Sequence, residues 1–92
     1  MLQEFWESQP RAAAPLQAWH QIVRHAGWAS FAELRQTFPS ADQVGRLTVF
    51  NIGGNKFRLI ARIEYTLQRV YVRRILTHKE YDKGEWKEDP WL

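Results

Sequence analysis

Within four residues the sequence places an imidazole, an ammonium and a phenol: His78, Lys79 and Tyr81. Imidazole exchanges protons near neutral pH, so His78 is a candidate general base or acid, and nearby cations could stabilise charge building on a phosphate. Upstream, Arg58, Arg62 and Arg73 lie in two stretches of alternating character, where adjacent strands would aim several guanidinium forks at one anion. The alternative is an ordinary solvated face. Like charges on one sheet face repel by up to about 1 kcal/mol per pair, which favours the binding reading.

The distribution of charge points the same way. Residues 46–79 hold eight Lys and Arg against Glu64 alone, and six of the eight are Arg, whose planar fork matches phosphate geometry. Residues 1–45 are close to neutral, and residues 80–92 are acidic, so the formal net charge of +3 hides a concentrated basic segment. A polyanion, nucleic acid first of all, is the implied partner. With 92 residues the chain has room for one core, and with no cysteine it offers no disulfide, thiolate nucleophile or Cys-containing metal site. No apolar run of membrane-spanning length occurs, and the expected setting is the cytoplasm.

The elements that must position these groups follow from periodicity. Leu2, Phe5 and Trp6 have helical spacing, Pro10 and Pro15 interrupt, and Leu16, Trp19, Ile22, Val23 and Ala26 share one face of a second helix ending near Gly27. Ser30 and Glu33 have capping-box spacing ahead of Phe31, Leu34 and Phe38, predicting a third helix over 31–37. Pro39, Ser40 and Asp42 mark a loop, and alternation then replaces helical spacing.

Leu47, Val49 and Phe50 open a strand that turns at Gly53-Gly54. In the return strand Phe57, Leu59, Ala61 and Ile63 share one face, and Arg58, Ile60, Arg62 and Glu64 the other. After a turn near Leu67-Gln68-Arg69, Val70, Val72, Arg74 and Leu76 alternate with Tyr71, Arg73 and Ile75, so Arg73 is assigned to the face of Arg58 while Arg74 intrudes on the apolar register. Trp6, Trp19 and Trp28 are expected in the core. Residues 84–92, with Trp86 and Trp91, form an acidic tail that could cover the basic face, recruit a partner or move freely.

Two groups of residues have ligand types for a metal ion. His78, Glu80 and Asp82 would share a face if the strand continued through them, but Arg73 and Lys79 would repel a bound cation. His20 and His25, five apart on a helix, point about 140° from each other. No metal site and no cofactor are expected.

Several spaced motifs together resemble the HigB family of toxins. They are Val49-Phe50-Asn51-Ile52-Gly53-Gly54-Asn55-Lys56-Phe57-Arg58-Leu59-Ile60, Tyr71-Val72-Arg73 and Thr77-His78-Lys79-Glu80-Tyr81-Asp82, with Phe5-Trp6 and Phe38-Pro39-Ser40-Ala41-Asp42 upstream. The resemblance spans residues 3–83 and implies one α+β domain over 1–83 with a RelE-like fold, its N-terminal helices packed on one face of a small antiparallel sheet. It also implies a toxin neutralised by a HigA-type antitoxin, a metal-independent endoribonuclease that enters the A site of the 70S ribosome and cuts translated mRNA.

Carried onto this chain, the resemblance makes Arg58 and Arg73 phosphate contacts and sets His78 and Tyr81 in the catalytic segment. His78 would be the base, Tyr81 a stacking or proton-transfer group, and Lys56 a contact to the backbone or the developing charge. Asn55, Arg62, Lys79 and Lys83 would hold RNA. Family members usually open with a short strand of alternating apolar and basic residues, whereas this sequence starts at Met1-Leu2-Gln3-Glu4-Phe5-Trp6, so an unprotected sheet edge is expected. A non-catalytic RNA- or ribosome-binding module, or one that only binds an antitoxin, would share the same basic face.

Overall fold

The computed structural model describes residues 2–54 and 56–92; Asn55, expected among the RNA contacts, and the side chain of Leu2, expected on the first helix, lie outside the described residues. Helix α1 (Leu2–Ser8) leads through a 3-10 turn (Pro10–Ala12) into α2 (Ala13–Arg24), and α3 (Phe31–Thr37) follows. The expected break falls at Gln9 and the 3-10 turn, whereas Pro15 does not interrupt: it sits in the first turn of α2, where a missing N–H costs no intrahelical bond. Leu16 and Trp19 are buried on that helix, while Ile22, about 120° round from Leu16, is 43% exposed rather than in the core. Ser30 Oγ accepts from the Glu33 N–H and starts α3 as its spacing predicts.

The second half is a four-stranded antiparallel sheet in the order β1 (Asp42–Val44), β2 (Leu47–Ile52), β3 (Phe57–Glu64), β4 (Arg69–Thr77), which makes β1 and β4 its edges. The arrangement is the expected α+β fold. Strand β1 occupies what reads in sequence as the end of a loop. Gly45, at φ +60°, lets Val44 pair with Leu47 through a two-residue turn, and a Cβ there would lie 2.6 Å from the Leu92 carbonyl oxygen. Gly53 and Gly54, both at positive φ, make the turn between β2 and β3.

Both faces of this sheet are covered. The helices bury Ala12, Leu16, Trp19, Trp28 and Leu34 against Phe50, Ile52, Phe57, Leu59, Ala61 and Ile75, and Trp6 packs at the margin. On the opposite face Leu47, Val49 and Ile60 form a smaller core with Trp86, joined by Leu76, Tyr81, Trp91 and Leu92. A β-bulge in β4 changes which of its side chains face each core: Ile60 pairs with Arg74 but Ala61 pairs with Val72, so Arg73 is the extra residue. Before the bulge Val70 and Val72 face the helices. Beyond it Ile75 does so, and Arg74 and Leu76 join Arg58 and Ile60 on the other face. The intrusion of Arg74 on an apolar register is thereby corrected, because one inserted residue reverses the alternation.

No helix among the described residues is long and apolar enough to cross a membrane.

Candidate active site

Strand β4 ends directly in helix α4 (His78–Lys83), which corrects the reading of this segment as loop or continued strand. The turn from strand to helix is set locally. Thr77 Oγ1 accepts from the Glu80 N–H at 3.2 Å while the Glu80 carboxylate accepts from the Thr77 N–H at 2.9 Å, a reciprocal capping box, and Gly84 closes the helix in the left-handed conformation. The main-chain N–H of His78 donates to the Lys56 carbonyl at 3.0 Å, tying the helix start to the β2–β3 turn. Thr77→Ala is expected to lower stability by about 1 kcal/mol and the melting temperature by roughly 5 °C, checked by thermal denaturation against wild type.

These ties bring Arg58, His78 and Tyr81 together. Arg58 is 8% exposed on the tail-side face of β3, and its guanidinium donates to the Phe57 carbonyl at 3.2 Å, reaches His78 Nδ1 at 3.3 Å and lies 5.5 Å from the Tyr81 ring centroid. A guanidinium has donors only, so Nδ1 must present its lone pair, and the ring proton sits on Nε2. There it faces the Asp82 carboxylate 3.4 Å away. Both members of that pair are at least half exposed, so it adds little stability and serves instead to fix the ring and its tautomer.

Tyr81 is held by stacking on Trp86, with ring centroids 5.1 Å apart, and its carbonyl accepts from the Trp86 indole N–H at 3.1 Å. Burial, chiefly, and then the charge of Asp42 raise the phenol above its ordinary range, opposed by Arg58. The phenol is therefore a neutral O–H donor at physiological pH. Lys56, Lys79 and Lys83 are exposed around this cluster, Lys56 on the adjoining turn and the other two on α4. The helix also removes the alternation of His78, Glu80 and Asp82, and among the described residues no group of three or more His, Cys, Asp or Glu is arranged to hold a metal ion.

Arg73 and Arg62 are placed differently. Arg73 makes a bidentate pair with Asp89, Nε to Oδ2 at 3.0 Å and Nη2 to Oδ1 at 3.1 Å, and stacks 4.0 Å above the Trp91 ring. The tail thus takes the first of its three possible roles and lies over the basic face. Asp89 is buried, and its hydrogen bonds to Arg73 pull its carboxyl below the usual range, outweighing the effect of burial. A depressed carboxyl stabilises the fold above its ordinary titration range and ceases to as pH falls through the folded value, so this anchor holds at neutral pH and weakens only in acid. Arg62, farther along β3, pairs with Glu64 at 2.9 Å.

Two residues of the site escape a reading by strand alternation: Asp82, which orients His78, and Trp86, which backs Tyr81. The signal for the first was present, since Thr77-His78-Lys79-Glu80 has the capping-box spacing that announces a helix and makes His78 and Asp82 neighbours one turn apart.

Comparison with known proteins gives this geometry a family. Residues 12–84 match the model of the HigB toxin family, described as the RelE-like toxic component of a toxin-antitoxin system. The chain is 33% identical over 84 residues to the mRNA interferase toxin HigB of Escherichia coli K12, covering 88% of this chain and 81% of the relative, and equally similar to the mRNA interferase HigB of Shigella flexneri. It is 31% identical over 77 residues to the mRNA interferase HigB of Escherichia coli O6:H1, covering 80% and 75%. With the helix-backed antiparallel sheet and a match over most of its length, the chain belongs to the HigB family of RelE-like toxins.

Proposed function

We propose that this chain is an mRNA interferase, an endoribonuclease that enters the A site of the 70S ribosome, cuts the mRNA under translation and so arrests growth. As the toxic component of a toxin-antitoxin pair it has an antitoxin partner, for which we propose the HigA type. The observation that carries the reading is the buried Arg58 guanidinium, which holds the His78 imidazole and faces the Tyr81 ring at one point on the sheet.

In the reaction we infer, the ribose 2′-oxygen attacks its own 3′-phosphorus as the bond from phosphorus to the 5′-oxygen breaks. The products are a 2′,3′-cyclic phosphate and a 5′-hydroxyl end. His78 Nδ1 takes the 2′-hydroxyl proton when the nucleotide enters beside Arg58, and the resulting imidazolium is stabilised through Nε2 by Asp82. The neutral Tyr81 phenol protonates the 5′-oxygen. Arg58 and Lys56 stabilise the charge on the phosphorane, where such preorganised donors act most strongly. Lys79, Lys83 and Asn55 take the RNA backbone. Arg73, paired with Asp89, acts on the far side of the face and steadies the tail.

The test is primer-extension mapping of a defined mRNA in a purified translation system, with and without ribosomes, for wild type and His78→Ala. The expected result is cutting that requires translating ribosomes and slows by about 10²-fold in the variant. A folded wild-type protein that makes no cuts under translation overturns the proposal.

A further inference from the structure

The tail that covers Arg73 also builds something. At the end of β3 away from His78, Arg46 from the β1–β2 turn, Arg62 from β3, Tyr71 from β4 and Trp91 from the tail line an open pocket of about 500 Å³. Arg62 and Tyr71 are direct cross-strand partners, and the Tyr71 and Trp91 rings meet edge to face with centroids 5.8 Å apart. The outer side of Trp91 is fixed by the Arg73 guanidinium, and Arg69 Nη1 reaches the Tyr71 hydroxyl at 3.5 Å. Arg46 Nε lies 3.4 Å from the Leu92 main-chain oxygen. One carboxylate, Glu64, shares the lining and is paired with Arg62.

Two partly exposed aromatic rings ringed by guanidinium groups are the chemistry that single-stranded nucleic acid uses, with a base on the rings and its phosphates on the arginines. The position suits the same strand. Arg58 and Arg62 are four residues apart on β3, roughly 13 Å at the rise of a strand, a distance that a few nucleotides of extended RNA span. We propose that this pocket is a second nucleotide subsite, made with the tail, that stacks one base of the RNA strand on Tyr71 and Trp91 and takes its flanking phosphates on Arg46 and Arg62. The proposal rests on the RNA reading of the Arg58 face, and it adds residues beyond those of the reacting centre. Three of them, Arg46, Arg62 and Tyr71, lie within the family-matched span, and one, Trp91, lies outside it.

The experiment measures binding rather than cutting, with fluorescently labelled 2′-O-methyl oligonucleotides that cannot undergo the reaction, in two lengths: a dinucleotide and one of about six residues. The longer strand is expected to bind the Tyr71→Leu variant roughly tenfold more weakly than wild type, with the dinucleotide unaffected. The double variant Arg46→Gln/Arg62→Gln, which alters only partly or fully exposed side chains, is expected to lower the slope of log affinity against log salt by about 1.4, the loss of two phosphate contacts on a single strand. Arg58→Gln is the control and weakens both lengths. If it does so while the pocket variants leave the longer strand's affinity and salt slope unchanged, the pocket is no subsite and the RNA face stands. If wild type binds neither length, the subsite falls, and the RNA reading is decided separately by the ribosome-programmed cleavage assay.

Discussion

Arg58→Gln is expected to slow single-turnover mRNA cleavage by about 10² to 10³, the loss seen when one preorganised donor is removed from a developing oxyanion. The size follows from the position of the group. Arg58 is 8% exposed, so the field it directs at a phosphate is not diluted by water, and its cost of orientation is met by the fold. The substitution also frees His78 Nδ1 from its partner 3.3 Å away, so the imidazole loses its alignment together with the charge. Arg58→Lys restores the charge without the fork and is expected to recover only part of the rate, because a point charge cannot serve imidazole and phosphate at once. Quench-flow assays on programmed ribosomes measure both variants. A rate within about twofold of wild type for Arg58→Gln, in a protein that melts normally, removes Arg58 from the reaction.

The largest effect on stability belongs to Trp86. Trp86→Ala is expected to cost about 3 to 5 kcal/mol, the range for emptying a buried aromatic site, and to lower the melting temperature by roughly 15 to 30 °C. Trp86 is 2% exposed, lies against Leu47, Val49 and Ile60, stacks on Tyr81 and donates to its carbonyl. Its loss therefore leaves a cavity and releases the phenol of the site. Trp86→Phe keeps the stacking and most of the volume and is expected to recover more than half of the loss. Urea unfolding of the two variants measures the difference. An unchanged midpoint for Trp86→Ala shows that residues 84–92 contribute nothing to the domain.

How much of this was legible beforehand depended on which physical signal dominated each segment. Helices α1 and α2 and strands β2 to β4 announce themselves by apolar spacing and α3 by its cap, and Arg58, His78 and Tyr81 could be named as candidates from residue type and spacing. Strand β1 could not, because Asp42-Gln43-Val44 has one apolar residue and becomes a strand only through pairing with β2. The bulge at Arg73 was equally hidden, since alternation assumes an unbroken register and an inserted residue reverses it without altering composition. Helix α4 was readable from its capping box, yet the segment reads as a loop past the strand's end, with His78, Glu80 and Asp82 sharing a face only if the strand ran on. The resting place of the tail depends on Asp89 meeting Arg73 across 16 positions, a tertiary pairing that no local pattern announces.

The smaller core on the tail side has a consequence for the order in which the molecule matures during synthesis. Every helix and strand facing the larger core is complete by Thr77, whereas the smaller core waits for Trp86, and the β1–β2 turn waits for Leu92, whose oxygen accepts the Arg46 N–H at 2.9 Å. At elongation rates of about 5 to 20 residues per second, the segments facing the larger core are synthesised about 0.5 to 2 s before residues 86–92 join the smaller one. Until they do, Leu47, Val49 and Ile60 face water beside an unmatched Arg73. The growing chain thus passes through a stage in which every strand is made and the Tyr81 ring has nothing behind it.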